Sequence, residues 1–164
     1  MTDIPLPAGL HLRPQRDSDA LFLAQLYNSR REDLRLAIAD RDFIEELIEM
    51  QFRAQREGYG QQFPNALYFI VESHHESIGR AAVDFGQNEV RVIDIALIPA
   101  ARNKGHGTSV IRALQMAANK ARAPLTLTVM LDNPRAVELY AKLGFRVEQQ
   151  TLTHALLAWY PQEP

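Results

Sequence analysis

The chain contains no cysteine. That excludes disulfides, thiolate metal sites and a cysteine nucleophile, and a reducing compartment suits such a protein. No apolar run approaches the ~18 residues that span a bilayer, and the opening "MTDIPLPAGL" has neither a basic n-region nor an apolar h-region. The expectation is a soluble, cytoplasmic protein with no membrane partner. An excess of charge is missing too, since 18 Lys and Arg stand against 20 Asp and Glu for a formal net charge of -2. With no chain-wide basic field to bind a polyanion by counterion release, nucleic acid is not an expected partner. Internal repeats, low-complexity tracts and Gly/Ser linkers are also lacking, so residues 1–164 read as a single domain.

What is present is enough apolar surface for one core, 46% of 164 residues, arranged in two alternating periods. After a first strand at "LHLRP", helical spacing carries Leu21, Phe22, Leu26 and Leu34 over residues 18 to 36. It also carries Phe43, Ile44, Leu47, Ile48 and Phe52 over residues 40 to 57. "ALYFIVES", "SIGRAAVDF" and "VRVIDIALI" then read as strands of an antiparallel meander, separated by the turn compositions "HHE" and "GQNE". From Gly107 a helical stripe of Val110, Ile111, Leu114, Ala117, Ala118 and Ala121 runs until Pro124 closes it, and "LTLTVML" begins another strand. The last segments are a helix within "DNPRAVELYAKLGF" and the strands "FRVEQQ" and "THALLAWY", which suit a final hairpin. The fold class is α/β, with a mixed, mostly antiparallel central sheet of six or seven strands flanked by about four helices, one of them in a right-handed βαβ unit.

Chemistry concentrates where "IPAARNKGHGTS" hands a strand over to a helix. A helix start gathers free N–H groups and the positive end of the macrodipole, and Gly105 and Gly107 let an anion approach the backbone closely. Arg102 and Lys104 add charge. The loop is not a phosphate loop of the Gly-Lys-Ser/Thr kind, and Val110 at the third glycine position excludes the dinucleotide fingerprint. Two glycines alone would also suit an ordinary loop.

The neighbouring residues decide. "RNKGHG", directly after a strand ending "ALIP", fits the R/Q-x-x-G-x-G/A signature of the GNAT acetyltransferase superfamily, and "VMLDNPRAVELYAKLGF" resembles that family's later motif of Asn, Ala, Tyr and Gly-Phe. The resemblance covers residues 90 to 146. It implies acetyl-CoA as cosubstrate, no metal, and transfer to the primary amine of a small molecule or peptide by direct attack in a ternary complex. It implies further that Arg102, Gly105 and Gly107 hold the pyrophosphate, with amides of Asn103, Lys104, His106 and Thr108 contributing. His106 departs from the usual aliphatic residue, with little consequence where a backbone amide binds. Backbone amides around Leu97 and Ile98 would hold the pantetheine and polarise the thioester carbonyl. A non-catalytic acetyl-CoA-binding sensor is the alternative from another class, and a homodimer is left open.

Three residues carry separate arguments. Asn133 before Pro134 makes an N-cap with proline at the first helical position, with Gly144 ending the helix; the resemblance adds contact with the pantetheine arm, and both roles fit one residue. Tyr140 shares a stripe with Ala136, Leu139 and Leu143 and could simply pack, yet it stands two turns beyond Asn133 on one side of the helix. The resemblance assigns it the general acid that protonates the departing thiolate. Asp94 interrupts an apolar strand. If "GQNE" pairs Phe85 with Val90, Asp84 opposes Arg91 as an ion pair and Asp94 opposes the small Ala81 with no cation across from it. A carboxylate so placed is a candidate proton acceptor, and a structural hydrogen bond is its alternative. The family often keeps an acidic residue on this strand, more often Glu. Tyr27, Arg30, Arg31 and Arg35 could line an acceptor pocket that the short "EQQT" connection leaves open. His74 and His75 read as a solvated turn rather than a metal site, and the acidic residues of "RDFIEELIEM" as an outer helix face.

Overall fold

The computed structural model describes residues 6–30 and 64–161, Ala8 excepted. Within them the strands are β1 (Leu10–Pro14), β2 (Leu67–Ser73), β3 (Glu76–Phe85), β4 (Val90–Leu97), β5 (Leu125–Met130), β6 (Arg146–Gln150) and β7 (His154–Trp159). The helices are α1 (Ala20–Arg30), α2 (His106–Ala121) and α3 (Pro134–Lys142). The expected helix over 40 to 57, with its acidic outer face, lies outside the described residues, as does the end of the helix expected over 18 to 36. The strands form one sheet in the order β1-β2-β3-β4-β5-β7-β6. β4 and β5 run parallel, joined through α2, and the other neighbours are antiparallel. The closing hairpin forms as its sequence indicated, with β7 inserted between β5 and β6.

One face of the sheet holds the main core. Phe69, Val71, Ala81, Val83, Val90 and Val92 pack there with Val110, Ile111 and Leu114 of α2, the stripe that the helical spacing marked. On the opposite face Ile70 is fully buried beneath Leu23 of α1, with Phe22 and Tyr27 beside it. The start of α1 is tied down by charge. Arg13 on β1 donates both Nη atoms to the Asp19 carboxylate at 2.7 and 2.9 Å, and its Nε to Glu72 of β2 at 2.7 Å. The guanidinium, with the Arg16 amide, lowers the Asp19 pKa to about 2.

Two helix ends are set differently. α2 stops before Pro124: Arg122 takes a left-handed conformation (φ 56°), and the amide of Ala123 reaches back to the Ala118 carbonyl at 3.1 Å. α3 ends through Gly144 (φ 96°), as the sequence indicated, with the Phe145 amide on the Tyr140 carbonyl at 3.0 Å. The β2–β3 turn is His74-His75, both at positive φ and exposed.

The register of β3 on β4 departs from simple alternation, and this positions the site. Phe85 does face Val90, and Asp84 faces Arg91, but a bulge places Val83 opposite Val92 and Ala82 opposite Asp94. Ile93 is the extra residue. Asp94 therefore does not oppose Ala81, because one unpaired residue inverts the facing of everything beyond it. Val90 and Val92 point into the main core, Ile95 and Leu97 rejoin it after the bulge, and Asp94 turns to the α1 face with Ala82 and Arg80. Nor does Arg91 pair with Asp84: its side chain turns to Glu89 (3.2 Å) and Thr126 (2.8 Å).

Candidate active site

β4 and β5 separate soon after they meet. Among the described residues they pair at Val90↔Leu125 and Arg91↔Thr126 and no further, so the rest of the β4 edge opens onto a gap. The gap leads into a cavity of about 670 Å³ between the loop after β4, the start of α2 and one side of α3. Leu97, Arg102, Asn103, Gly105, His106, Gly107, Thr108, Asn133 and Tyr140, all picked out from the sequence, line it. Ile98, Lys104 and Asp94 do not.

At one end lies the glycine loop. Gly105 is the N-cap of α2 at φ 83°, and no described atom would lie within 4 Å of a Cβ there; at Gly107 only a Leu97 methyl comes to 4.0 Å. Both glycines thus face open space. The first backbone bond of α2 runs from the Ser109 amide to the Gly105 carbonyl at 3.0 Å. The amides of His106, Gly107 and Thr108 precede it and lack helical partners by geometry. Cations line the same cavity. Arg102 donates Nε to the Leu97 carbonyl at 3.1 Å, Arg135 of α3 hydrogen-bonds the Asn103 side chain, and Lys142 lines the wall. Together they make an anion site.

Along the β4 edge the two candidate amides differ. The Ile98 amide donates to the Ile78 carbonyl at 2.8 Å, so it is engaged on the β3 side. By strand alternation the amides of Leu97 and Ile95 point the other way, into the gap.

Asn133 caps α3, its Oδ1 accepting from the Ala136 amide at 3.3 Å, and it also lines the cavity. Tyr140 sits farther along the same helix, partly buried against the core and edge-on to Phe145 at 5.5 Å. Burial first, and the negative charge of Asp94 second, raise the pKa of its hydroxyl above the usual 10. The phenol is therefore a proton donor throughout the neutral range. Asp94 has a cation where none was expected across the strand: Arg80 Nη2 donates to Asp94 Oδ2 at 2.8 Å, with side chains 7% and 10% exposed. Of the residues expected to line an acceptor pocket, Tyr27 packs on the α1 face, Arg30 closes α1, and Arg31 and Arg35 lie outside the described residues.

Sequence reasoning missed Arg135, Glu138, Leu139 and Lys142, which line the cavity. Their spacing of three, four and seven is a helical stripe and could have been read beside Tyr140. It missed Arg80 because the bulge that brings it to Asp94 was not read.

Residues 23–145 match the Acetyltransferase (GNAT) family. Over 112 residues the chain is 30% identical to a β-lysine N(6)-acetyltransferase of Methanosarcina mazei, a match covering 67% of this chain and 36% of that relative. Its fold resembles the PaiA N-acetyltransferase of Thermoplasma acidophilum in complex with coenzyme A (TM-score 0.67, 17% identity, 92% and 98% of the two chains covered). It also resembles a spermidine N-acetyltransferase chimera from Vibrio cholerae and hSSAT (TM-score 0.65, 21% identity, 93% and 96% covered). Since the matched residues run from α1 through β4, the glycine loop and α3, and so include every wall of the cavity, the chain belongs to the GNAT acetyltransferase family.

Proposed function

We propose that the chain is one N-acetyltransferase domain that moves the acetyl group of acetyl-CoA to a primary amine by direct attack in a ternary complex. The observation that carries this reading is a single cavity joining an anion site at the start of α2 to a raised-pKa phenol on α3. The pyrophosphate fits the amides of residues 106 to 108, flanked by Arg102 and Arg135. The pantetheine lies along the free edge of β4, where the Leu97 and Ile95 amides face the thioester carbonyl and stabilise the charge that develops on it. Asn133 faces the same arm. The amine nitrogen attacks the carbonyl carbon, the ammonium proton passes to Asp94 directly or through water, and the C–S bond breaks as Tyr140 protonates the departing thiolate. The phenol keeps its proton throughout the neutral range, so it is in the acid form when the thiolate departs.

The M. mazei relative acts on the N(6) amine of β-lysine and the Vibrio chimera on spermidine, which supports an aliphatic amine as acceptor here. The test is release of CoA from acetyl-CoA in the presence of L-lysine, β-lysine, spermidine and an alanine-initiated tripeptide. Amine-dependent release supports the enzyme. Tight acetyl-CoA binding without release by any of them leaves a sensor module instead, and no thermal shift with acetyl-CoA rejects both.

A further inference from the structure

Arg80, the buried ion-pair partner of Asp94, has no part in the chemistry derived above. Arg80 lies on β3 opposite Ile70 and Ala96, buried on the α1 face. Its Nη2 holds Asp94 Oδ2 at 2.8 Å, and its guanidinium lies over the Tyr68 ring at 5.9 Å from the centroid. Its Nε is buried with no hydrogen-bond partner among the described residues. As a stabilising device this is poor, because buried ion pairs are commonly matched or bettered by apolar residues, and an unmet buried donor adds a further cost. As a positioning device it is well made. Tyr68 from β2 and Asp94 from β4 restrain the guanidinium on two sides, and the bulge at Ile93 is what turns the carboxylate toward it. Asp94 adjoins Ile95, which lines the cavity, so the carboxylate being held belongs to the strand that edges the site.

We propose that Arg80 is a positioning residue, fixing the Asp94 carboxylate beside the cavity-lining Ile95 so that it meets the attacking nitrogen of the acceptor. The role rests on the acetyltransferase reading and on Asp94 as proton acceptor. Lysine at this position keeps the charge but loses the planar fork that sets direction.

The experiment compares the parent with Arg80→Lys, Asp94→Asn and both together. It reads melting temperature, acetyl-CoA affinity by calorimetry, and kcat/KM for the best of L-lysine, β-lysine, spermidine and an alanine-initiated tripeptide. Arg80→Lys should leave acetyl-CoA affinity within about threefold and lower kcat/KM about tenfold or more, whereas in the Asp94→Asn background the same change should cost less than about twofold. Independent, multiplying effects, or an Arg80→Lys enzyme with the parent's kcat/KM, would overturn the proposal. Should Arg80→Lys not fold, Arg80→Met with Asp94→Asn removes both charges together. That double variant should match Asp94→Asn alone, and a further tenfold loss in it would equally overturn the role. A parent that binds acetyl-CoA but releases no CoA with any amine rejects the acetyltransferase reading, and Arg80 with it. A working parent with an indifferent Arg80 rejects the positioning role alone.

Discussion

The two edges of β4 teach different lessons. Along β3 the strand stays paired from Phe85↔Val90 to Gly79↔Leu97 and absorbs a bulge without letting go; along β5 it parts after Arg91. The closed edge buries an ion pair and the α1 face. The open edge presents unpaired amides to a cavity roofed by α2 and α3. An unpaired strand edge on the outside of a sheet invites other chains. Here the free edge lies inside the sheet and faces the cavity.

Variants should separate the two sides, those at the open edge changing ligand handling and rate directly, those at the closed side acting through the Arg80–Asp94 pair or through stability. The largest effect is expected from Tyr140→Phe, which deletes one hydroxyl: kcat should fall by ~10² to 10⁴ with acetyl-CoA affinity near the parent. Unchanged kcat, measured where chemistry limits turnover, would return Tyr140 to packing alone. Gly107→Val comes next. The position has no positive φ to strain and open space above it, so the valine fills the anion site, and calorimetry should show acetyl-CoA affinity down by ~10² or more for the loss of one or two charge-assisted bonds. The melting temperature without ligand should hold.

Asp94→Asn should slow turnover and also shift a pH limit. Because the Asp94 charge helps to raise the Tyr140 pKa, its removal lowers that pKa, and the alkaline fall of kcat should begin at lower pH than in the parent. On the closed side, Asp19 titrates at about 2 in the fold against about 3.9 in the unfolded chain. A depressed carboxylate stabilises above its unfolded pKa, so on the order of 1–2 kcal/mol should be lost between roughly pH 5 and pH 2. Denaturant melts of Asp19→Asn should lack that acid slope. The smallest effect is Asn133→Ala, about 1 kcal/mol for a lost cap. Asn133→Ser keeps a cap acceptor, so any acetyl-CoA affinity it loses measures ligand contact rather than helix stability.

Much of this was legible in the sequence because the relevant physics is local. Strand alternation, the proline-started helix at Asn133 and the glycines before α2 each announce themselves within a few residues, and so the cavity's loop and its phenol could be named in advance. What escaped depends on pairing across strands. The bulge at Ile93 left a trace in "VRVIDIALI", where apolar residues at 90 and 92 resume at 93, 95 and 97, a slip in phase that marks an extra residue. Without reading it, Asp94 faces the wrong side and Arg80 goes unnoticed. The direction of the Ile98 amide escaped for a similar reason, since which edge an amide serves depends on a partner strand 20 residues earlier.

α3 is the element with the most to gain from a ligand. None of its nine residues is buried, and Leu139 remains 38% exposed on the cavity wall. What holds it is a cap at Asn133, the turn at Gly144, the contacts of Val137, Tyr140 and Leu143, the bond from Arg135 to the Asn103 side chain, and one from Gln115 Nε2 to the Leu143 carbonyl at 2.9 Å. In hydrogen-exchange terms, so few buried contacts mark a unit that opens well below the global unfolding free energy. A molecule seated against Leu139 and Tyr140 would supply the missing face of its core. At a concentration of 100 Kd that linkage is worth about 2.7 kcal/mol, so amide protection in residues 134 to 142 should rise more on acetyl-CoA binding than protection in β3, which is already closed.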